Sequence, residues 1–145
     1  MSGTSFLVGL IRRKRGFFMK SKLTESEFQE IIRRRSNGAI DFSQFLDELY
    51  QRGINEYEID VTTGQATYKG GNSEFKTDSQ INLKISEEFN RNRVLEAIAN
   101  ISLPFLDFLK EIADAGIVAY RVNIPEQRVI YMGIGEQEIE EQLKL

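Results

Sequence analysis

The stretch DFSQFLDELYQRGINEYEIDVTTGQATYKGG, from Asp41 to Gly71, decides the fold because its hydrophobic pattern changes period partway along. Its first part carries apolar side chains at the spacing of one helix face, at Phe42, Phe45, Leu46 and Leu49. Asp41 is a typical N-cap residue, and Gly53 can take the left-handed conformation that ends a helix. Beyond Gly53 the apolar residues alternate with polar ones, at Tyr57, Ile59 and Val61. We therefore predict a helix followed by a β-strand.

The predicted strand also places three carboxylates on one face, those of Glu56, Glu58 and Asp60. The TTG turn and a return arm with Ala66 and Tyr68 complete a hairpin, and SEFK, residues 73–76, predicts a short third strand. The three acids could bind a divalent cation, pair with a basic partner surface, or keep an exposed strand from pairing with another molecule. The sequence leaves these three interpretations open.

A helix is also predicted before this stretch, over residues 25–35. Thr24 and Glu27 have the spacing of a capping box. The apolar face consists of Phe28, Ile31, Ile32 and the stem of Arg35. The SNG sequence at residues 36–38 ends the helix.

The second half of the chain shows a similar order of signals. Ser86 is predicted to cap a third helix that carries Phe89, Val94, Leu95, Ile98 and Ile101. Ser102, with Pro104 near the first turn, is predicted to open a fourth helix, which ends at Gly116 and carries Phe105, Phe108, Leu109 and Ile112. An extended run over residues 117–124 follows. A turn and a return strand with Val129 and Tyr131 complete a second hairpin.

An internal repeat is predicted by alignment of residues 41–72 with residues 104–135, a shift of 63 residues. Nine positions match, where composition alone gives about two. The matching pairs are Phe42/Phe105, Phe45/Phe108, Leu46/Leu109, Glu48/Glu111, Gly53/Gly116, Ile54/Ile117, Tyr57/Tyr120, Tyr68/Tyr131 and Gly70/Gly133. We predict an α+β fold, with two helix–helix–β-hairpin repeats at about residues 24–76 and 86–140. The repeats share a core within one domain, residues 23–145, and the helices cover one face of a mostly antiparallel sheet.

The composition excludes several kinds of chemistry. The chain has 145 residues, of which 41% are hydrophobic and 28% charged, as in an ordinary globular domain. It contains no Cys and no His, so thiol nucleophiles, serine–histidine catalysis and cysteine or histidine metal sites are excluded. Carboxylates, Lys, Tyr, Ser, Thr and Arg remain, and they still allow oxygen-ligated cations and acid–base work. We expect no cofactor.

Charge is distributed unevenly along the chain. Residues 1–22 carry six basic residues and no acid, whereas residues 23–145 have 13 bases against 22 acids. We therefore expect no nucleic-acid binding by the main body, because phosphate contact requires a basic face. We interpret residues 1–22 as a disordered leader, with the alternatives of weak membrane-surface contact through its apolar and basic side chains and of a true start at Met19.

Two sets of paired residues are candidate site residues. Glu48 and Glu111 occupy equivalent positions and would form an acid–base or metal pair if the repeats bring them together; the alternative is two solvent-facing helix residues. Tyr57 and Tyr120, with Tyr68 and Tyr131, would line a pocket that stacks on a flat ligand, or would be core and sheet-pairing residues. Both alternatives stay open for each set.

The repeated patterns resemble one known family. DFSQFLDELYQRGINEYEID and FLDFLKEIADAGIVAYRVN are similar to the family of unknown function numbered 1398. Its members are small bacterial and prophage-borne proteins, some labelled phage envelope protein. The resemblance covers about residues 25–140, and it implies an α+β fold and a cytoplasmic setting but no catalytic residues.

Two hypotheses for function follow. The first is a non-enzymatic interaction or regulatory protein, of the prophage-derived origin that the resemblance implies, that binds a protein partner or a second copy of itself through an exposed sheet face or edge. The second is a small-ligand binder or enzyme that uses a cleft between the repeats, lined by tyrosines and carboxylates. A pocket at the repeat interface would favour the second hypothesis.

Overall fold

A computed structural model describes residues 22–145, which form four helices and six strands. The helices are α1 (Glu25–Ser36), α2 (Phe42–Gln51), α3 (Arg91–Ala99) and α4 (Phe105–Asp114). The strands are β1 (Glu56–Asp60), β2 (Ala66–Gly70), β3 (Ser73–Lys76), β4 (Ile117–Asn123), β5 (Arg128–Gly133) and β6 (Glu138–Gln142), with a single 3₁₀ turn at Ile134–Glu136. The predictions made for the leader lie outside the described residues.

The six strands form one sheet in the order β3-β2-β1-β4-β5-β6, and every neighbouring pair is antiparallel. The predicted α+β class is confirmed. The first strands of the two hairpins, β1 and β4, lie side by side at the centre of the sheet. The sequence pattern had left this strand order open, because hairpins can join through any of their edges.

The pairing of β1 with β4 is centred on two residues that correspond to each other in the 63-residue alignment. Glu58 lies opposite Arg121, its counterpart in the sequence alignment. The two hairpins also share a register, since Tyr57 lies opposite Tyr68 and Tyr120 lies opposite Tyr131. These pairings are geometric facts about the two halves. Duplication of an ancestral unit stays a prediction.

The predicted limits of α1 and α2 are confirmed by their caps. The Thr24 hydroxyl accepts a hydrogen bond from the Glu27 backbone N–H, while the Glu27 carboxylate accepts one from the Thr24 backbone N–H, at 3.1 and 3.0 Å. Asp41 and Gln44 make the same reciprocal pair at α2. Gly53 follows α2 with a φ of 93°, a conformation that Gly adopts with little strain.

The predicted starts of α3 and α4 were wrong. Asn90, not Ser86, caps α3 by accepting from the Arg93 backbone N–H at 3.0 Å. The Ser86 hydroxyl instead accepts from the backbone N–H two residues ahead, which closes a local turn. Pro104 is the N-cap of α4 and has no side chain that can accept a hydrogen bond, so the predicted role of Ser102 is also wrong.

The later start of α3 changes which residues it buries. Val94 and Ala97 enter the core, whereas Leu95 and Ile101, predicted to share the buried face, are exposed. Phe89 precedes the helix, and its ring lies against Gly133 of β5. The sequence also gave no prediction of β6, whose EIEEQ sequence contains one buried apolar residue, Ile139.

The helices pack on the sheet face that carries the inward side chains of the strands, and these form two rows across the sheet. One row runs through Phe75, Tyr68, Tyr57, Val122 and Val129, and the other through Ala66, Ile59, Tyr120, Tyr131 and Ile139. Phe28 of α1 stacks on Phe75 at 4.8 Å between ring centroids. Helix α2 contributes Phe45 and α4 contributes Phe108 to the same layer.

Candidate functional site

A cleft of about 850 Å³ opens between the helices and the inner face of the sheet. Tyr57, Tyr68 and Tyr120 form its floor, and they come from both hairpins. One wall comes from α1 and α2 and includes Ile32, Arg35, Phe42 and Phe45; the other comes from the α3–α4 connection and the start of α4, residues 103–107. The cleft therefore lies where the two halves of the chain meet.

The floor of the cleft is a packed aromatic layer. Tyr57 and Tyr68 stack with 4.7 Å between ring centroids and 27° between ring planes. Phe45 meets both rings edge-on, at 6.3 and 6.2 Å. Such offset and edge-to-face pairs stabilise each other beyond the area they bury. The floor is therefore a closely packed aromatic surface.

The tyrosine hydroxyls of the floor are hydrogen-bond donors. Burial raises the pKa of Tyr57, Tyr68 and Tyr120 above the ordinary value of 10.0, so the phenols stay neutral and keep their protons. Within residues 22–145 no protein group makes a hydrogen bond to any of these three hydroxyls. Tyr131 differs, because its hydroxyl donates to the Glu141 carboxylate at 2.8 Å. The cleft thus presents three phenol donors that the described part of the protein leaves unused.

Among residues 22–145, Arg35 is the one basic side chain that lines the cleft. Its guanidinium lies 5.7 Å from the centroid of the Phe42 ring and donates to the Ile40 carbonyl at 3.4 Å. Its positive charge acts to lower the pKa of both Tyr57 and Tyr68, against the larger effect of burial. Among the described residues no carboxylate pairs with Arg35, whereas the preceding arginines of α1 pair with acids.

The structure does not place the predicted Glu48 and Glu111 in this cleft. Arg34 of α1 donates to both carboxylate oxygens of Glu48, at 2.7 Å each. This pairing lowers the pKa of Glu48. Glu111 instead accepts from Arg93 of α3 at 3.2 Å. Each glutamate therefore links its helix to the preceding helix, and the two glutamates pair with different arginines.

The acidic face of β1, consisting of Glu56, Glu58 and Asp60, points to the other side of the sheet from the tyrosine floor. Arg121 of β4 donates to the Glu58 carboxylate at 3.1 Å, and Lys69 of β2 lies opposite Glu56 in the strand register. In the folded protein the acids do not protect an exposed strand, as one interpretation predicted, because β1 is an interior strand with a neighbour on each side. Across residues 22–145 no cluster of three or more acidic side chains is arranged to hold a metal ion.

Of the four predicted tyrosines, Tyr57, Tyr68 and Tyr120 are brought together on the cleft floor, whereas Tyr131 does not line the cleft. Sequence reasoning missed Arg35 and the wall formed by residues 103–107. One signal did point to Arg35, since it is a charged residue at a position of the apolar face of α1. No signal in the sequence showed that the α3–α4 connection would cover the first hairpin, because this depends on strand order.

The fold and cleft define an α+β protein with an aromatic cavity between a helical layer and an antiparallel sheet. The family model described as "Protein of unknown function (DUF1398)" matches residues 29–141. The chain belongs to this family, and the resemblance seen in the sequence is confirmed. None of the curated proteins matches the chain. No helix in residues 22–145 is long and apolar enough to cross a membrane.

Proposed function

We propose that the protein is a small-ligand binding module that uses the tyrosine-floored cleft without catalysing a reaction. The observation that carries this proposal is the cleft itself, an aromatic cavity of about 850 Å³ with unused hydrogen-bond donors on its floor. Binding pockets for small molecules commonly have volumes of about 300–1,000 Å³ and combine apolar walls with a few polar groups. The cleft has both properties.

Binding fits the cleft better than catalysis does. The titratable groups that the described residues bring to it are three tyrosines with raised pKa values, Arg35 and Asp107. General acid–base catalysis works best with a group whose pKa lies near neutrality, and tyrosines with raised pKa values are far from it. The glutamates that could have supplied a carboxylate pair are engaged with Arg34 and Arg93 outside the cleft.

The aromatic lining supports a flat ligand. Tyr57 and Tyr68 stack on each other and are each 6% exposed, so they present ring edges at the floor, and Phe42 and Phe105 offer apolar ring surface on the two walls. A ligand of one to three fused rings would exchange its contact with water for contact with these rings.

The test is ligand-observed NMR with a set of neutral and anionic aromatic fragments, on three forms of the protein. Leu106→Trp fills the cleft from its wall, at a position that is 39% exposed. Leu95→Trp is the matched control, because Leu95 is 42% exposed on α3 and does not line the cleft. We expect fragments to bind the wild type and Leu95→Trp, and to lose at least tenfold in affinity for Leu106→Trp. Binding by none of the fragments, or equal binding to all three proteins, would contradict the proposal.

The outer face of the sheet favours a second candidate function, an interaction module for a protein partner or a second copy of the chain. None of its outward side chains in the described strands is buried. They present both charges, as in the Glu58–Arg121 pair, and β3 and β6 are open edges. Affinity capture followed by mass spectrometry, with Arg121→Glu as the variant, tests this candidate. Equal capture of a partner by the wild type and the variant would exclude this face as the binding surface for that partner.

The cellular setting is a further proposal, supported by the family resemblance: a cytoplasmic protein of prophage-related origin. Subcellular fractionation tests the location. Co-sedimentation with anionic lipid vesicles tests contact through residues 1–22, if full-length protein is compared with a chain that begins at Met19. Loss of sedimentation in the shorter chain would assign membrane contact to the leader, and equal behaviour would make the leader dispensable for it.

A further inference from the structure

Arg35 holds an unusual position for a charged residue on α1. Arg33 and Arg34, its neighbours in sequence, form ion pairs with Glu30 and Glu48. Arg35 lies in the aromatic cleft, against the Phe42 ring, with no carboxylate partner among the described residues. A guanidinium next to apolar surface gains most from an anion that can accept its paired N–H groups.

The tyrosines near Arg35 add donors of the same kind. Tyr57 and Tyr68 are each 6% exposed, and no group in residues 22–145 accepts a hydrogen bond from their hydroxyls. Arg35 and both tyrosines line the same cleft, and the two tyrosine rings lie 4.7 Å apart between centroids. A guanidinium and two neutral phenols therefore line one cleft, and all of them can donate. The group that satisfies them must be an acceptor.

We propose that the cleft binds aromatic carboxylates, with the ring system against the aromatic side chains that line the cleft and the carboxylate held by Arg35 together with the hydroxyls of Tyr57 and Tyr68. This inference rests on the proposed function and specifies the chemistry of its ligand. A carboxylate matches the planar fork of Arg35 through two parallel hydrogen bonds. Its second lone pairs remain available to the phenol hydroxyls.

Asp107 is the acid that lines the cleft, and it sets the alternative to be tested. It would favour a cationic ligand and disfavour an anion. Asp107 lies in the first turn of α4, however, where the positive end of the helix offsets its charge, whereas Arg35, which is similarly exposed, lies in the last turn of α1 against the Phe42 ring. Arg35 comes from the separate wall formed by α1. We therefore infer that the charged group of the ligand is an anion and that Arg35 binds it.

The experiment compares three probes of one shape by isothermal titration calorimetry: 2-naphthoate, 2-naphthamide and the ammonium form of 2-naphthylmethylamine. Wild-type protein, Arg35→Met and Arg91→Met are titrated. Arg91→Met is the matched control, because Arg91 is an exposed arginine at the start of α3 and does not line the cleft. The melting temperature of each variant is measured to verify folding.

We expect the wild type and Arg91→Met to bind 2-naphthoate at least tenfold more tightly than 2-naphthamide. Arg35→Met should lose this preference and keep its affinity for the amide, because the apolar contacts remain. Tyr57→Phe and Tyr68→Phe should each lower the preference several-fold. Equal affinity for carboxylate and amide, tighter binding of the ammonium probe, or an unchanged preference in Arg35→Met would overturn the inference but leave the binding function standing. Absence of binding by all three probes would count against the binding function itself.

Discussion

Replacement of Gly70 by Ala tests how closely the end of β2 approaches the chain after α2. A Cβ atom at Gly70 would lie 1.7 Å from the Gly53 carbonyl oxygen and 2.8 Å from the Ile54 Cα. Both neighbours are backbone atoms, so no side-chain rotation can make room. The methyl group therefore requires β2 to move until the 1.7 Å contact opens to at least 3.0 Å.

The cost of this movement follows from what it disturbs. The Asn55 backbone N–H donates to the Lys69 carbonyl at 3.0 Å, directly beside Gly70, and an opening of more than 1 Å would break this bond. Overpacking in a well-packed region costs about 1–3 kcal/mol, and a lost backbone hydrogen bond adds about 1 kcal/mol. We expect Gly70→Ala to lower the free energy of unfolding by about 3 kcal/mol, which is roughly a 100-fold change in the unfolding equilibrium.

The assay is urea unfolding followed by circular dichroism, with two control variants. Gly71 has a φ of 56° and open space around its Cβ position, so Gly71→Ala carries only the strain of the left-handed conformation, about 1 kcal/mol. At Gly133, the counterpart of Gly70, a Cβ atom would meet the Phe89 ring at 2.8 Å and the Gly116 carbonyl oxygen at 3.2 Å. Because the ring can move, Gly133→Ala should cost less than Gly70→Ala. A Gly70→Ala protein within 0.5 kcal/mol of the wild type would refute the reasoning.

Three further predictions concern ionisable groups. Alkaline unfolding should be steep. The raised pKa values of Tyr57 and Tyr120 give stability that is complete below pH 10 and is lost as the pH rises through those pKa values. The measurement is the melting temperature as a function of pH. Glu48→Gln should cost about 0.5–1 kcal/mol at pH 7. Its pKa is lowered, so this stability is present above about pH 4.5 and lost below, and the variant should show a weaker acid dependence in urea unfolding. Tyr131→Phe should cost about 1 kcal/mol by removing the bond to Glu141, whereas an unchanged midpoint would contradict that role.

The first half of the chain was predictable because its signals are local. Thr24, Asp41 and Gly53 each act on the few residues around them, and the structure places all three as predicted. The start of α3 was wrong because Ser86 and Asn90 are both good caps, and the choice depends on tertiary contacts. The Asn90 backbone N–H donates to the Ala115 carbonyl at 2.9 Å, which fixes that residue at the end of α4.

The cleft could be predicted only in part. Tyr57 and Tyr120 were identified by their equivalent positions, but their convergence depends on the pairing of β1 with β4, which is a contact between distant parts of the sequence. Arg35 could not be assigned to a site, since a long basic side chain on an apolar helix face usually extends to solvent. The wall at residues 103–107 depends on the same long-range pairing.

The acids of β1 also influence which strand pairs with β1. If β1 of one molecule paired with β1 of another about the same centre, Glu58 would face Glu58 and Glu56 would face Asp60. Like charges directly opposite each other destabilise a strand pair. Strand β4 instead offers Asn123, Arg121 and Ala119 to the same three acids. During folding, before β4 has docked, this charge pattern disfavours association of two incomplete chains and favours closure of each chain on itself.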